Sequence, residues 1–294
     1  MTLRWPPLTV RTRLIGLVLA IVLSFGAMLA WILSQQAAQA REAAYAQARV
    51  LADSAANRLE QLLGEDQVLL ARMAARPLVA ALDAAHCDPL IKEYVSLQPQ
   101  HTTLSLHDLA GNVICSYFAN PVRQYNETDH PWFFEGVRGS GFFASDAVLG
   151  PISRRWTAGE IYPVAGASGR PNGALVLAVD LEELNQRVLA SVPVSALVMV
   201  IDRQDRFLLR SADAGRWIGK ASSTANNNAI RGQREGVRTA TGSDGIRRMW
   251  AYTTVPSTGW RVVAGLPEAE VMAAQDRLRN QTLALGFIAL LAVP

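Results

Sequence analysis

Histidine and cysteine, which are common transition-metal ligands and catalytic groups, are scarce in this sequence of 294 residues. It contains two cysteines and four histidines, which are His86, His101, His107 and His130. No histidine stands in an HExxH pattern or pairs with a cysteine at the spacing of a zinc site. The sequence also lacks a GxSxG elbow, and its segment GASGRPNG lacks the lysine of a phosphate-binding loop. We therefore predict no catalytic residues, no metal and no cofactor.

Clusters of positive charge are absent as well. The formal net charge is +3, and no run of lysine and arginine forms the stripe that binds a phosphate backbone. Half of the residues are hydrophobic, which favours a folded core over a disordered chain. Nucleic acid is therefore not an expected partner.

One long segment carries no charge at all. Residues 14–33 contain no charged side chain, and about 20 apolar residues are enough to cross a bilayer. Three arginines precede the segment, so the positive-inside rule places residues 1–13 in the cytoplasm and exports the chain after the segment. Ala38-Gln39-Ala40 resembles a cleavage site, which leaves a cleaved signal as the alternative, but the apolar segment is longer than such signals have. We predict an uncleaved transmembrane helix in contact with membrane lipid.

A second apolar run occupies residues 283–293 and is too short to cross a bilayer alone. It is either a hydrophobic terminal helix or the beginning of a second membrane helix. We expect the latter, so that residues 268–294 form a closing helix and the start of a truncated second transmembrane helix.

The two cysteines, Cys87 and Cys115, match no metal or redox motif. A disulfide is the preferred interpretation, because it agrees with export to an oxidising compartment. Two independent buried thiols are the alternative. A disulfide here would close a loop of roughly 30 residues and contribute roughly 3–4 kcal/mol to the free energy of unfolding.

Residues 35–82 are rich in alanine, glutamine and glutamate and contain no proline before Pro77. Apolar residues recur along them at intervals of three, four and seven, which predicts one apolar face on a long stalk helix. This face either pairs with the same helix of a second copy in a homodimer or packs against the chain's own domain.

After Pro77 the pattern changes to short strands separated by glycine, asparagine, aspartate and proline. TTLSLHD and NVICSYF predict a hairpin, a helix is predicted at residues 130–137, and further strands and a helix come after it. Residues 191–267 nearly repeat this order. The prediction is an α+β fold with two tandem modules, each with an antiparallel sheet, at residues 83–190 (membrane-distal) and 191–267 (membrane-proximal).

Several segments together resemble the double-Cache sensor domain of bacterial receptors, which consists of two PAS-like modules. They are LHDLAGNVICS, TDHPWFF, IYPVAGASGRPNGALVLAVDLEEL, and LVMVIDRQDRFLLRS followed by GRWIG. Their order and spacing extend the resemblance over nearly all of residues 35–280. The resemblance implies a non-enzymatic domain that senses a small molecule for a diguanylate cyclase, histidine kinase, phosphodiesterase or chemoreceptor output module, which this sequence does not contain.

The resemblance also implies where the ligand binds. In the family, the helix that starts near His130 and the strands after it surround a pocket with apolar aromatic walls and a few polar groups. The candidate binding residues are those expected on this helix or beside it: Tyr125, Asp129, Trp132, Phe133, Arg138, Asp146, Arg155, Trp156 and Tyr162.

His130 departs from the family pattern of the members that bind amino acids, which have an arginine two positions before the tryptophan. Arginine holds a carboxylate with two hydrogen bonds, whereas histidine is ordinarily neutral near pH 7. Arg123, Arg138 or Arg155 could take over this role. The expected ligand is an organic acid, an amino acid or an amine.

These observations predict a receptor of the bacterial inner membrane with residues 35–280 in the periplasm. We expect ligand binding to shift helices and so to signal across the membrane. The alternative is an exported structural or protein-binding module whose cavity is filled by its own side chains.

Overall fold

The computed structural model describes residues 10–118, 130–139, 141–151 and 153–291. Its helices are α1 (Val10–Ala74), α2 (Pro77–Ala80), α3 (Pro89–Leu97), α4 (Pro131–Arg138), α5 (Leu181–Leu189), α6 (Ala214–Trp217), α7 (Thr224–Asn228) and α8 (Glu268–Leu291). Its strands are β1 (His101–Asp108), β2 (Val113–Ser116), β3 (Phe143–Ala144), β4 (Val148–Leu149), β5 (Trp156–Ala165), β6 (Pro171–Asp180), β7 (Leu197–Ile201), β8 (Phe207–Arg210), β9 (Glu235–Thr241), β10 (Arg247–Thr254) and β11 (Arg261–Pro267).

The chain divides into two compact units. One consists of Met1–Ala44 and Glu268–Pro294, and the other of Tyr45–Pro267. In the first unit, α1 is the one helix of the described residues that is apolar and long enough to cross a membrane. Its side chains there, such as Phe25 and Trp31, are exposed, as lipid contact requires. α8 is one continuous helix and includes most of the second apolar run.

The long helix α1 ends at Ala74, eight residues before the predicted end of the stalk at residue 82. The cause is Pro77, which disfavours the helical conformation of the residue before it, and Arg76 is indeed extended with ψ 137°. Pro77 then begins the single turn of α2, and Leu82 has a positive φ of 52°. The predicted continuous helix over 35–82 is therefore broken near its C-terminal end.

The second unit contains two antiparallel sheets with the same strand order. In the first sheet the order is β2-β1-β6-β5-β3, with β4 also paired to β5. In the second sheet it is β8-β7-β11-β10-β9. In each sheet a hairpin occupies one edge, the last strand lies in the centre, and the middle strands complete the other edge. The α+β fold with two antiparallel sheets is thus confirmed.

The second-unit part of α1 buries an apolar face against both sheets. Ala52, Leu59 and Leu63 share a hydrophobic cluster with Val179 of β6 and Val262 of β11. Leu70 and Met73 continue this face over β1 and β6. The apolar stripe read from the sequence therefore packs at these positions against the chain's own domain. Tyr45 also bonds to Thr239 of β9, with 2.8 Å between the hydroxyl oxygens.

Helix α5 connects the two sheets. Asp180, the last residue of β6, caps it by accepting a hydrogen bond from the backbone N–H of Glu182 at 2.9 Å. At the other sheet, the amide oxygen of Asn185 accepts a hydrogen bond from the backbone N–H of Arg210 at 2.7 Å. One short helix is thus bonded to the end of β6 and to the end of β8.

Candidate ligand-binding site

The first sheet has two chemically different faces because side chains alternate along each strand. On β1, Leu104 and Leu106 enter the cluster under α1. Thr103 and Ser105 point to the opposite face and line a cavity there. A polar patch therefore lies on the sheet face that α1 does not cover.

Helix α4 packs on this polar face. His130 is its N-cap residue and Pro131 occupies its first turn, a position where the missing N–H of proline costs nothing. Phe133 is fully buried over Ile161, and a Cβ on Gly136 would come within 2.5 Å of Ile161 Cδ1. The helix therefore lies close against β5.

Trp132 of α4 stands at the side of the cavity. Its ring lies over Gly159, where a Cβ would be 3.1 Å from the indole carbon Cη2, and it stacks on His130 with 5.6 Å between ring centroids. The indole nitrogen Nε1 is buried and has no hydrogen-bond partner among the described residues. A buried donor without a partner is costly, so a bound acceptor would be stabilised here.

The cavity, which we call the first-sheet cavity, has a volume of about 70 Å³. That is room for roughly five water molecules or for one small organic molecule. Among the described residues that line it, none is charged. Its hydroxyl-bearing residues are Thr102, Thr103, Ser105, Ser116, Ser153 and Thr157, and its apolar walls include Val113, Phe118, Trp132, Val148, Val176 and Ala178.

His107 lies at the inner end of the same face and is fully buried. Its ring nitrogens lie 2.8 Å from Ser105 Oγ and 3.3 Å from the carbonyl oxygen of Gly111, and its ring contacts Phe133. Burial lowers the pKa of His107 to about 4. The imidazole is therefore neutral at physiological pH and supplies no charge to the cavity.

A second polar group lies on the opposite face, under α1. Glu160 is 2% exposed, and its Oε2 has no partner among the described residues. Burial, and to a lesser degree the nearby Asp66, raises the pKa of Glu160 well above its ordinary value. Asp66 lies 3.3 Å from Nε2 of His101, which stacks on Tyr94. These side chains join α1, α3 and β1 beneath the sheet.

Of the predicted binding residues on α4, Trp132 lines the cavity. Phe133 belongs to the core beneath the helix, and Arg138 is exposed in its last turn. Three further candidates fall outside the described residues: Arg123, Tyr125 and Asp129.

Two predicted residues on the side of the strands form ion pairs elsewhere. Asp146 accepts hydrogen bonds from Arg203, at 3.1 Å from the backbone nitrogen and at 3.0 Å from Nε, and so joins the two sheets. Arg155 donates to Asp180, the cap of α5, at 2.5 Å. Neither residue lines the cavity.

The aromatic candidates on β5 also lie away from the cavity. Trp156 packs at the edge of the cluster that joins the two sheets, against Gly219. Tyr162 packs on the face under α1, beside Leu175 and Leu177. The hydroxyl residues of β1 that line the cavity were not among the predicted binding residues. The sequence signal for them was the alternation of apolar and hydroxyl residues in TTLSLHD.

Cys87 and Cys115 form a disulfide with 5.7 Å between their Cα atoms, as predicted. The bridge ties the segment just before α3 to β2 at the edge of the first sheet. No group of three or more potential metal-ligating side chains occurs within the described ranges.

Comparison with known proteins gives one family and one fold. A family model described as a Cache domain matches residues 33–275. The ligand-binding domain of the Pseudomonas fluorescens chemoreceptor CtaA, in complex with L-isoleucine, is 14% identical with a TM-score of 0.63, covering 81% of this chain and 98% of that one. No curated protein matches the sequence.

Two further solved structures are similar. The ligand-binding domain of the Campylobacter jejuni chemoreceptor Tlp3, in complex with 4-methylisoleucine, is 13% identical with a TM-score of 0.61 and covers 79% of this chain and 94% of that one. The sensor domain of the V. cholerae histidine kinase DctB is 17% identical with a TM-score of 0.59 and covers 77% of this chain and 98% of that one. At these identities the similarity establishes the fold.

Proposed function

Because this chain belongs to the Cache domain family, we propose that it is the extracytoplasmic sensor domain of a membrane receptor and that its first-sheet cavity binds a small molecule. The observation that carries the proposal is the combination of Trp132 and hydroxyl side chains around a space of about 70 Å³. Trp132 offers an apolar ring and an unpaired N–H, and the threonines and serines offer both donors and acceptors.

The cavity chemistry favours a small molecule with several hydrogen-bonding groups. An amino acid fits this description, and the related chemoreceptor domains were solved with amino acids bound. No charged side chain among the described lining residues would neutralise an isolated charge. We therefore rank amino acids first, ahead of organic acids and amines.

Binding is tested by calorimetric titration of the 294-residue chain, in detergent micelles, with panels of amino acids, organic acids and amines. Ala178→Leu fills the cavity and is expected to abolish the binding of any ligand found. Trp132→Phe keeps an aromatic side chain but removes the pyrrole ring with its N–H, and is expected to weaken binding about tenfold, the equivalent of about 1.4 kcal/mol. Trp156→Phe is the matched control, because Trp156 lies outside the cavity and the change leaves binding intact.

A panel without any binding ligand favours the alternative, an exported structural or protein-binding module. Binding that survives Ala178→Leu would place the ligand elsewhere in the molecule. Either result contradicts the proposed site.

We further propose that the ligand signals through α1. A ligand shifts an equilibrium between two helix packings only if it binds one of them more tightly. The packing of α1 against both sheets gives it contacts that could differ between two such states.

Topology and signalling share one test. In the wild-type chain both cysteines are in the disulfide, so Val50→Cys introduces a single free thiol on an exposed position of α1. We expect an impermeant maleimide to label this thiol in cells with an intact inner membrane, because residues 35–280 are proposed to be periplasmic. We expect ligand to change the rate at which two copies cross-link through it in a homodimer. Protection until the inner membrane is breached would contradict the proposed topology.

A further inference from the structure

The second sheet carries its own cavity on the face opposite α1. This second-sheet cavity has a volume of about 40 Å³. Its floor is formed by side chains that alternate with the core positions under α1: Met199, Ile201, Phe207, Trp250, Tyr252 and Val263. Because the two sheets have the same strand order, the cavity occupies the position that corresponds to the first-sheet cavity.

Helix α7 covers this cavity and is tied to β9. The side-chain amide of Asn226 donates to the carbonyl oxygen of Thr241 at 2.8 Å. Arg238 of β9 donates in return to the carbonyl oxygen of Asn226 at 3.3 Å. Asn227 is buried and donates to Ser222. The cover is therefore held over the sheet by polar contacts.

Arg238 lines the cavity and distinguishes it from the first one. It is half-buried, and none of the ion pairs among the described residues involves it. Its hydrogen bond to Asn226 uses one of the five N–H donors that a guanidinium has. A partly desolvated guanidinium without a carboxylate partner attracts an anion.

The surrounding charges strengthen this preference. Arg210 and Arg248 are buried near the Gly242 end of the cavity and share one carboxylate, Asp244, at 3.3 and 2.8 Å. The Nε atoms of both arginines are buried without a partner among the described residues. Burial lowers the pKa of Arg210. The attraction of Asp244, and a smaller attraction of the exposed Asp213, act in the opposite direction and raise it. This side of the sheet thus has more buried positive than negative charge.

The rest of the cavity is suited to hydrocarbon. The indole N–H of Trp250 already donates to the carbonyl oxygen of Ala240 at 2.9 Å, so its ring presents only an apolar surface. The small volume of the cavity, about 40 Å³, favours a carboxylate group with a short tail over longer ligands.

We propose that the second-sheet cavity binds a short-chain carboxylate, such as acetate or propionate, whose oxygens pair with Arg238 and whose tail lies on Trp250 and Val263. This site is separate from the first-sheet cavity, and its occupancy would report a second class of ligand to the same chain.

The test uses propionate and its neutral isostere propionamide on the 294-residue chain in detergent micelles, at equal ionic strength set with sodium chloride. Calorimetry and the melting temperature followed by tryptophan fluorescence are the readouts. We expect propionate to bind and to raise the melting temperature with its concentration, and propionamide to bind at least tenfold more weakly. Equal binding of the two compounds, or no binding of acetate and propionate at millimolar concentration, overturns the proposal.

Variants locate the site. Arg238→Gln removes the charge but keeps a donor for Asn226, and is expected to weaken propionate binding at least tenfold, with Arg238→Lys in between. Arg234→Gln, at an exposed arginine just before β9, is the matched control and leaves binding unchanged. Unchanged binding in Arg238→Gln overturns the proposal.

Two cavity-filling variants separate this inference from the proposed function. Ala240→Leu fills the second-sheet cavity and is expected to abolish propionate binding, whereas Ala178→Leu fills the first and leaves it intact. If Ala178→Leu abolishes propionate binding and Ala240→Leu does not, the carboxylate binds in the first-sheet cavity, which overturns the inference. Failure to find any ligand for the first-sheet cavity leaves the propionate result standing.

Discussion

The two sheets of this protein share a strand order but differ in the groups that they bury. The face of the first sheet opposite α1 presents hydroxyl groups and an unpaired indole N–H, with no charge among the described lining residues. The corresponding face of the second sheet presents Arg238, with Arg210 and Arg248 nearby. The fold therefore fixes where a cavity forms, while a few side chains on alternate positions decide its chemistry.

The sheets differ as well in how they are stabilised. The first has a disulfide at its edge and several buried titratable groups, among them His107 and Glu160 on opposite faces. The second contains no cysteine, and its buried Arg210 and Arg248 pair with Asp244, while Arg261 pairs with Asp205. Substitutions at these features therefore test whether the two sheets contribute separately to the free energy of unfolding.

The contact that joins the halves gives the largest expected effect. Gly219 has a φ of +78°, and a Cβ there would lie 2.1 Å from Trp156 Cε2. Gly219→Ala therefore combines backbone strain with overpacking, and we expect a loss of about 4 kcal/mol in the free energy of unfolding. Gly232→Ala is the matched control, because Gly232 has a φ of +81° with nothing within 4 Å of its Cβ position. Gly232→Ala is expected to lose about 1 kcal/mol in the free energy of unfolding. Urea denaturation of both variants measures the two losses.

Equal losses in the two variants would show that Trp156 yields to the added methyl group. The junction between the sheets would then be soft, and the two halves would be more independent than their packing indicates.

Removing the disulfide should act on the first sheet alone. The bridge spans a sequence separation of 28 residues, and the double variant Cys87→Ala/Cys115→Ala is expected to lose about 3–4 kcal/mol. Hydrogen exchange shows which part of the fold loses stability. Amides of β1 and β2 are expected to lose protection, and those of β10 and β11 are expected to keep it. A uniform loss over both sheets would contradict a division of stability between them.

His107 predicts an acid sensitivity that belongs to the first sheet. Its pKa is about 4 in the folded protein against 6.5 as the ordinary value, so below pH 6.5 the unfolded chain binds a proton that the folded chain does not. Stability therefore falls as the pH falls from 6.5 to about 4, by about 3 kcal/mol in total. His107→Gln should flatten this dependence in denaturation curves between pH 4 and 7, whereas the exposed His86→Gln should not.

Glu160 predicts an effect of opposite sign. Its raised pKa means that above about pH 4.5 the unfolded chain loses a proton that the folded chain retains. Stability therefore falls as the pH rises, and Glu160→Gln should be more stable than the wild type at pH 8 but not below pH 4.5. The exposed Glu93→Gln serves as the control. A variant that is destabilised at pH 8 would show that Glu160 is held as a charged group.

Local patterns made much of the fold predictable. Alternation and turn residues predicted the hairpin β1–β2, and a helix was predicted after the later strands, where α5 follows β6 and is capped by Asp180. The pairing of Cys87 with Cys115 was predictable from cysteine number and expected compartment. Each of these signals lies within a few residues of the feature or depends on composition.

The candidate site was less predictable because its geometry depends on distant partners. Asp146 looked available for a ligand, but its partner Arg203 lies 57 residues later in the chain. Trp156 looked like a pocket wall, but it packs on Gly219. The hydroxyl face of β1 is visible in the alternation, yet threonine and serine are ordinary on the solvent side of a strand and so do not by themselves indicate a cavity.

The hydrogen bond from Arg210 to Asn185 of α5 gives the two cavities a common mechanical element, since α5 is capped by the last residue of β6. If each cavity has its own ligand and both ligands favour particular positions of α5, the factor by which the first ligand changes the affinity of the second equals the factor by which the second changes the affinity of the first. The response of the chain to one ligand would then depend on whether the other ligand is bound.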